Sequence, residues 1–156
     1  MQQPDALNQV AEFHHTFQHP ILAKPSIPSK QRSALRVSLI AEELQELEEA
    51  IQAGDLVEVA DALCDIQYVL SGAILEFGLA NKFKALFDEV QRSNMSKACA
   101  TRQEAEATVK HYSEERDTPC YFKEVDGKFL VFRTEDQKTL KSINYSPADL
   151  KAILDQ

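Results

Sequence analysis

The chain has no tryptophan, only four glycines among its 156 residues, and three cysteines at unrelated spacings. Few glycines leave few places for tight turns, which favours long helices over a turn-rich β fold. Cys64, Cys99 and Cys120 are odd in number and fit neither zinc-site nor disulfide-framework spacing, so a reducing compartment is expected. No apolar run reaches the roughly 20 residues that a membrane span needs, and the N-terminus lacks the basic patch and apolar stretch of a secretory signal. The expectation is a soluble, cytoplasmic protein. Positive charge is short as well: 17 lysines and arginines against 25 acids give a net charge of −8. That balance argues against non-specific binding to nucleic acid or anionic membrane, yet leaves room for an anionic substrate that arrives bound to metal ions. One absence is local. Between Leu39 and Asn81 there is no lysine or arginine at all.

What is present, 44% hydrophobic and 27% charged residues, is too apolar for a disordered chain and enough for a single core. A first helix is expected over about residues 4–18, with Leu7, Val10, Ala11, His14 and Phe17 on one face, stopped by His19-Pro20. Three prolines within Pro20–Pro28 read as an extended loop. Ser29 then caps a second helix to about Ala53, with the apolar stripe Val37, Ile40, Leu44, Leu47 and Ile51. Gly54-Asp55 is a turn into a third helix, closed by Gly78. Its apolar arc runs Leu56, Val59, Leu63, Ile66, Val69, Leu70, Ala73 and Ile74, and Cys64 beside it reads as core. So short a turn makes these two helices an antiparallel hairpin. A fourth helix over about Ala80–Ser93 turns Phe83, Leu86, Phe87 and Val90 inward and leads into Asn94-Met95-Ser96-Lys97. Beyond it, Thr101-x-x-Glu104 has the form of a capping box. Asp126-Gly127 between two apolar runs signals a β-hairpin, and Ser146-Pro147 opens a last short helix. The expected organisation is a helical core over residues 1–98 with a tail over 99–156 packed on it.

The hairpin of the second and third helices carries most of the chemistry. At about 100° per residue, Glu42, Glu43, Glu46 and Glu49 share a third of the second helix, on the arc that also holds Leu35 and Leu39. On the third, Glu58, Asp61, Asp65, Tyr68 and Gly72 run down one edge of the apolar arc. The two acidic edges can face each other. Crowded carboxylates repel, and with no lysine or arginine between Leu39 and Asn81 the compensating charge must come from another segment, another subunit or bound ions. Magnesium suits such oxygen ligands. An acidic helix is more often a solvated surface, and periodicity by itself leaves the two readings level.

The string Glu42-Glu43-Leu44-Gln45-Glu46, followed by Glu58-Val59-Ala60-Asp61, resembles the EExxE…ExxD signature of the all-α nucleoside triphosphate pyrophosphatases, the MazG-like and phosphoribosyl-ATP pyrophosphatase-like proteins. Asp65-Ile66-Gln67-Tyr68-Val69 and Asn94-Met95-Ser96-Lys97-Ala98 are similar to further family segments, so the likeness covers roughly residues 8–98. It implies an all-α bundle of four to five helices, here with a small C-terminal β-hairpin appendage. It also implies magnesium-dependent hydrolysis of a (deoxy)nucleoside triphosphate to monophosphate and pyrophosphate, with manganese as a possible substitute and a housecleaning role in the nucleotide pool. Glu43, Glu46, Asp61 and Asp65 would then ligate the metal. Glu42 would ligate it or orient the attacking water, which makes Glu42 and Glu46 the catalytic candidates, with Glu58 peripheral. Asn94, Lys97 and Arg92 would meet the phosphates; His14, Phe17 and Tyr68 would border the base. A homodimer or dimer of dimers is expected. Phosphoribosyl-ATP hydrolysis and a silent helical dimerisation module are the alternatives.

Overall fold

The computed structural model describes residues 2–156, Met1 lying outside them. The chain forms two compact units, Met1–Lys84 and Ala85–Gln156, mostly helical with one two-stranded antiparallel sheet in the second.

In the first unit α1 (Ala6–Thr16), α2 (Lys30–Ala53) and α3 (Leu56–Glu76) pack together. Val10 and His14 of α1 are buried, and full burial of a side chain such as Val10 stabilises by ~1.5–3 kcal/mol. The helix ends two residues earlier than the proline rule suggests, and Gln18 takes a left-handed conformation (φ 57°) ahead of Pro20. Ser29 caps α2 by accepting from the Arg32 N–H, and Gly54 ends it with φ 68°. Asp55 caps α3, accepting from the amides of Val57 and Glu58 at 2.9 and 3.3 Å. The proline-rich loop is tied along the end of α3 by Leu22 N–H to the Leu75 carbonyl and Ser26 N–H to the Phe77 carbonyl, both 3.1 Å. It passes so close to Gly78 (φ 67°) that a Cβ there would sit 2.0 Å from the Lys24 carbonyl oxygen. Only glycine fits that position.

The apolar stripe of α2 is not a core stripe within this chain. Val37, Leu44 and Ile51 are 59–68% exposed, and Leu56, Leu63 and Leu70 of α3 are exposed too. Cys64, read as core, is likewise exposed. The buried positions lie instead near the other end of α3, at Ser71, Gly72, Ile74, Leu75 and Glu76.

The helix α4 (Ala80–Met95) runs from the first unit into the second and absorbs Asn94 and Met95, which the sequence placed after it. Leu86 is buried, whereas Phe87 and Val90, expected inward, are 63% and 37% exposed. In the second unit Thr101 caps α5 (Arg102–Lys110) by accepting from the Glu104 N–H at 3.1 Å, and a π-helical turn follows over His111–Glu115. Strands β1 (Cys120–Val125) and β2 (Lys128–Arg133) pair in register around Asp126-Gly127, both at positive φ. Cys99, Ala105, Val131 and Leu140 form the core beneath them. The last helix, α6 (Leu150–Leu154), begins later than Ser146-Pro147, with Asp149 as its cap accepting from Ala152 N–H at 3.1 Å.

Candidate active site

An acid cluster forms where α2 and α3 run antiparallel. Glu42, Glu46 and Asp61 are exposed at its rim, while Glu43 and Asp65 are half-buried. Glu43 sits at the centre: its Oε2 is buried and has no hydrogen-bond partner. Burial first, and then the charges of Asp65, Glu46, Glu42 and Asp61 in that order, push the Glu43 carboxyl above its ordinary value. Each of these is a carboxylate facing carboxylates, which disfavours the charged form. Glu58 and Glu49 are not among the strongest influences on Glu43. Ser38 donates to Glu42 Oε1 at 2.8 Å, one turn back on the same helix. The Arg32–Glu76, Arg36–Glu76 and Arg92–Glu89 ion pairs lie elsewhere, and the charges that act most on Glu43 are all negative.

These side chains do not close into a group of three ligands, as a finished metal site would. The donor set nonetheless fits a hard divalent cation: oxygen atoms only, an uncompensated negative field, and one buried carboxylate oxygen with no partner.

On the same face of the hairpin, further along both helices, a cavity of about 370 Å³ is lined by Phe13, His14, His19, Arg36, Tyr68 and Gly72, with Leu35 and Leu39 among its apolar walls. The Phe13 ring meets Tyr68 edge-on at 5.6 Å and stacks on His19 at 5.7 Å. His14 is 2% exposed; burial drives its imidazole below the ordinary value, and Nδ1 donates to the Pro20 carbonyl at 2.9 Å. Arg36, 6% exposed, is fastened by Nη2 to Glu76 Oε1 at 2.5 Å, and Arg32 grips the same carboxylate with Nε at 3.0 Å and with Nη2. Of the residues expected around a base, His14 and Tyr68 line this cavity. Phe17 does not; it is 60% exposed and rests on Phe13, whose ring takes the wall position.

Arg92, Asn94 and Lys97 belong to the second unit. Arg92 bonds through Nε and Nη2 to Glu89, through Nη1 to Ser146 Oγ and again through Nη2 to the Pro147 carbonyl. Its donors hold Glu89 and the tail, and a phosphate role for Arg92 rests on the family likeness. Lys97 Nζ donates to Asn94 Oδ1 at 2.8 Å. A substrate role for that pair rests on the family likeness alone.

Sequence reasoning passed over Arg36 and Glu76. A signal existed. Arg36 lies seven residues before Glu43 on the same helical arc, and Glu76 is a lone acid inside the apolar run Ala73-Ile74-Leu75-Glu76-Phe77. A single buried charge of each sign calls for a pair.

Residues 10–94, just over half the chain, match a family model described as phosphoribosyl-ATP pyrophosphohydrolase. The chain belongs to that family. Every acid of the cluster, the whole cavity wall and Asn94 fall within the matched residues; Lys97 and the β-hairpin fall outside them. Beside the phosphoribosyl-ATP pyrophosphohydrolase match, an uncharacterized protein of Acanthamoeba polyphaga mimivirus is 34% identical over 92 residues, which is 56% of this chain and 37% of that protein. The match thus spans little more than a third of that relative's length. Among the described residues no single helix is long and apolar enough to cross a membrane.

Proposed function

We propose that the protein is a magnesium-dependent nucleoside triphosphate pyrophosphohydrolase, cleaving a ribo- or deoxyribonucleotide to its monophosphate and pyrophosphate and so clearing nucleotides from the pool. The observation that carries this reading is the half-buried Glu43, whose Oε2 has no partner and whose neighbours Asp65, Glu46, Glu42 and Asp61 are all acids. Family membership supplies the class of bond, a phosphoanhydride.

Glu43, Glu46, Asp61 and Asp65 would hold the metal. Magnesium, or manganese in its place, supplies when bound a counter-charge for the phosphates and a water of lowered pKa. Glu42 stands at the rim with Oε1 occupied by Ser38. Its other oxygen is free to orient a water and accept its proton as the water adds across the bond between the α- and β-phosphates. The bond breaks towards pyrophosphate, which departs with the bridging oxygen. Glu46 serves as ligand and field, and the cavity beside Tyr68 takes the base.

The exposed apolar residues Val37, Leu44, Ile51, Leu56, Val57 and Leu63 make a patch too large for a chain that works alone. A second copy covering it, in a homodimer or dimer of dimers, is part of the proposal.

A second reading has an observation in its favour: the matching family model is described by phosphoribosyl-ATP itself. The two substrates share the scissile bond and differ at the base and ribose. Purified chain with magnesium, presented with ribo- and deoxyribonucleoside triphosphates and with phosphoribosyl-ATP, separates them by relative kcat/KM. Preference for any nucleoside triphosphate supports the first reading, preference for phosphoribosyl-ATP the second. No pyrophosphate from either class leaves the helical dimerisation module.

A further inference from the structure

The cavity between α1, α2 and α3 contains hydrogen-bonding groups that the fold leaves unused. Arg36 is more than nine-tenths buried, yet of its guanidinium nitrogens only Nη2 is paired, to Glu76; Nε is buried without any partner. Leaving such a donor unmade is costly in a finished core. His14 presents the complementary vacancy. Its Nδ1 faces a carbonyl oxygen, which can only accept, so the proton sits on Nδ1 and Nε2 is a bare acceptor. The two groups are neighbours: a Cβ built on Gly72 would lie 2.7 Å from Arg36 Nη1 and 3.1 Å from His14 Nε2. Glycine at that point keeps the space open for both. Phe13 and Tyr68 add aromatic faces to the same cavity. A purely apolar guest would strand the guanidinium, and a free anion would find aromatic walls. A flat heterocycle with an acceptor beside an N–H satisfies all of them at once.

We propose that this cavity reads the hydrogen-bonding edge of the substrate's base, Arg36 donating to a ring acceptor and His14 Nε2 accepting from an adjacent N–H, so that the enzyme requires a polar nucleobase and not merely a triphosphate. The inference rests on the pyrophosphohydrolase reading above and sharpens it by naming what selects the substrate. Arg36 is a binding residue in it; Glu76 and Arg32 are positioning residues that hold the guanidinium.

The test uses the full chain with magnesium. kcat/KM is measured for the best natural nucleotide, for the same sugar triphosphate carrying an apolar ring of the same shape, and for the triphosphate with no base. Losing the paired edge should lower kcat/KM by about 10- to 100-fold for the apolar ring, and at least as much with no base. Arg36→Lys keeps the charge against Glu76 but removes the guanidinium fork; it should bring the natural nucleotide down to the level that the apolar analogue shows with the wild type. Should that variant fail to fold, the analogue series alone decides. An apolar ring turned over within about threefold of the natural base overturns the inference while the pyrophosphohydrolase reading survives. No hydrolysis of any natural nucleotide overturns both.

Discussion

Glutamine in place of Glu43 should make the metal-free protein more stable and the magnesium-loaded protein less so. The carboxyl is half-buried with one oxygen lacking any partner, and it faces Asp65, Glu46, Glu42 and Asp61. Glutamine keeps the polar end and removes only the charge, and a like-charge contact in a partly solvated setting costs up to ~1 kcal/mol. Removing its charge should therefore stabilise the apo-protein by about 1 kcal/mol, or roughly 2–4 °C in Tm for a chain of this size. The sign with pH follows from the raised pKa. The folded chain holds this proton more tightly than the unfolded chain, so wild-type stability falls as pH rises from the ordinary carboxylate value through the raised one. The advantage of Glu43→Gln is thus complete above that window and vanishes below it, where both side chains are neutral. Magnesium reverses the order. At about 100-fold excess over Kd the ion adds ~2.7 kcal/mol to a protein that binds it only when folded, and the glutamine variant should keep little of this. Thermal melts of both proteins at acid and neutral pH, with and without magnesium, measure every part. A variant no more stable than wild type at neutral pH without metal, or one that retains the full magnesium shift, would refute the reasoning.

Asp65→Asn, altering the neighbour that acts most strongly on Glu43, should abolish pyrophosphate release while the far-ultraviolet circular dichroism stays that of the wild type; retention of most activity would remove Asp65 from the site. At Glu76 burial alone would raise the carboxyl pKa, but the bonds from Arg32 and Arg36 prevail and hold it below its ordinary value. The pair's stabilisation is therefore present above the ordinary carboxylate pKa and lost as pH falls through the lowered one. Glu76→Gln, which leaves two guanidinium groups short of a counter-charge, should cost ~3–5 kcal/mol in urea unfolding at neutral pH. Leu44→Glu on the exposed face of α2 should turn the proposed dimer into monomer in light scattering, and an unchanged mass would show that this face is not the interface.

The helices were legible because their ends carry local chemistry. Ser29, Gly54, Asp55, Thr101 and Asp126-Gly127 all do in three dimensions what their residue types imply. Which faces are buried was less legible. Periodicity identifies an apolar stripe but not its partner, so Val37, Leu44 and Ile51 read as core although this chain leaves them exposed. The acids could be found by spacing; that Glu43 alone among them has a buried, unpartnered oxygen depends on how α2 and α3 are set against each other. The Arg36–Glu76 pair spans 40 residues, and no local pattern reports a contact of that reach. Phe17 and Phe13 show the limit at a helix end. The chain leaves helical geometry after Thr16, so Phe17 departs from the face that a continued helix would give it, and Phe13 lines the cavity in its place.

Pyrophosphate release by the purified chain, titrated with magnesium over ribo- and deoxyribonucleoside triphosphates and phosphoribosyl-ATP, tests the central claim most directly. At least one nucleotide should yield equal amounts of monophosphate and pyrophosphate, lost on chelation and lost in Glu46→Gln with the fold intact. No turnover of any nucleotide, together with no magnesium-induced rise in Tm, would contradict that claim.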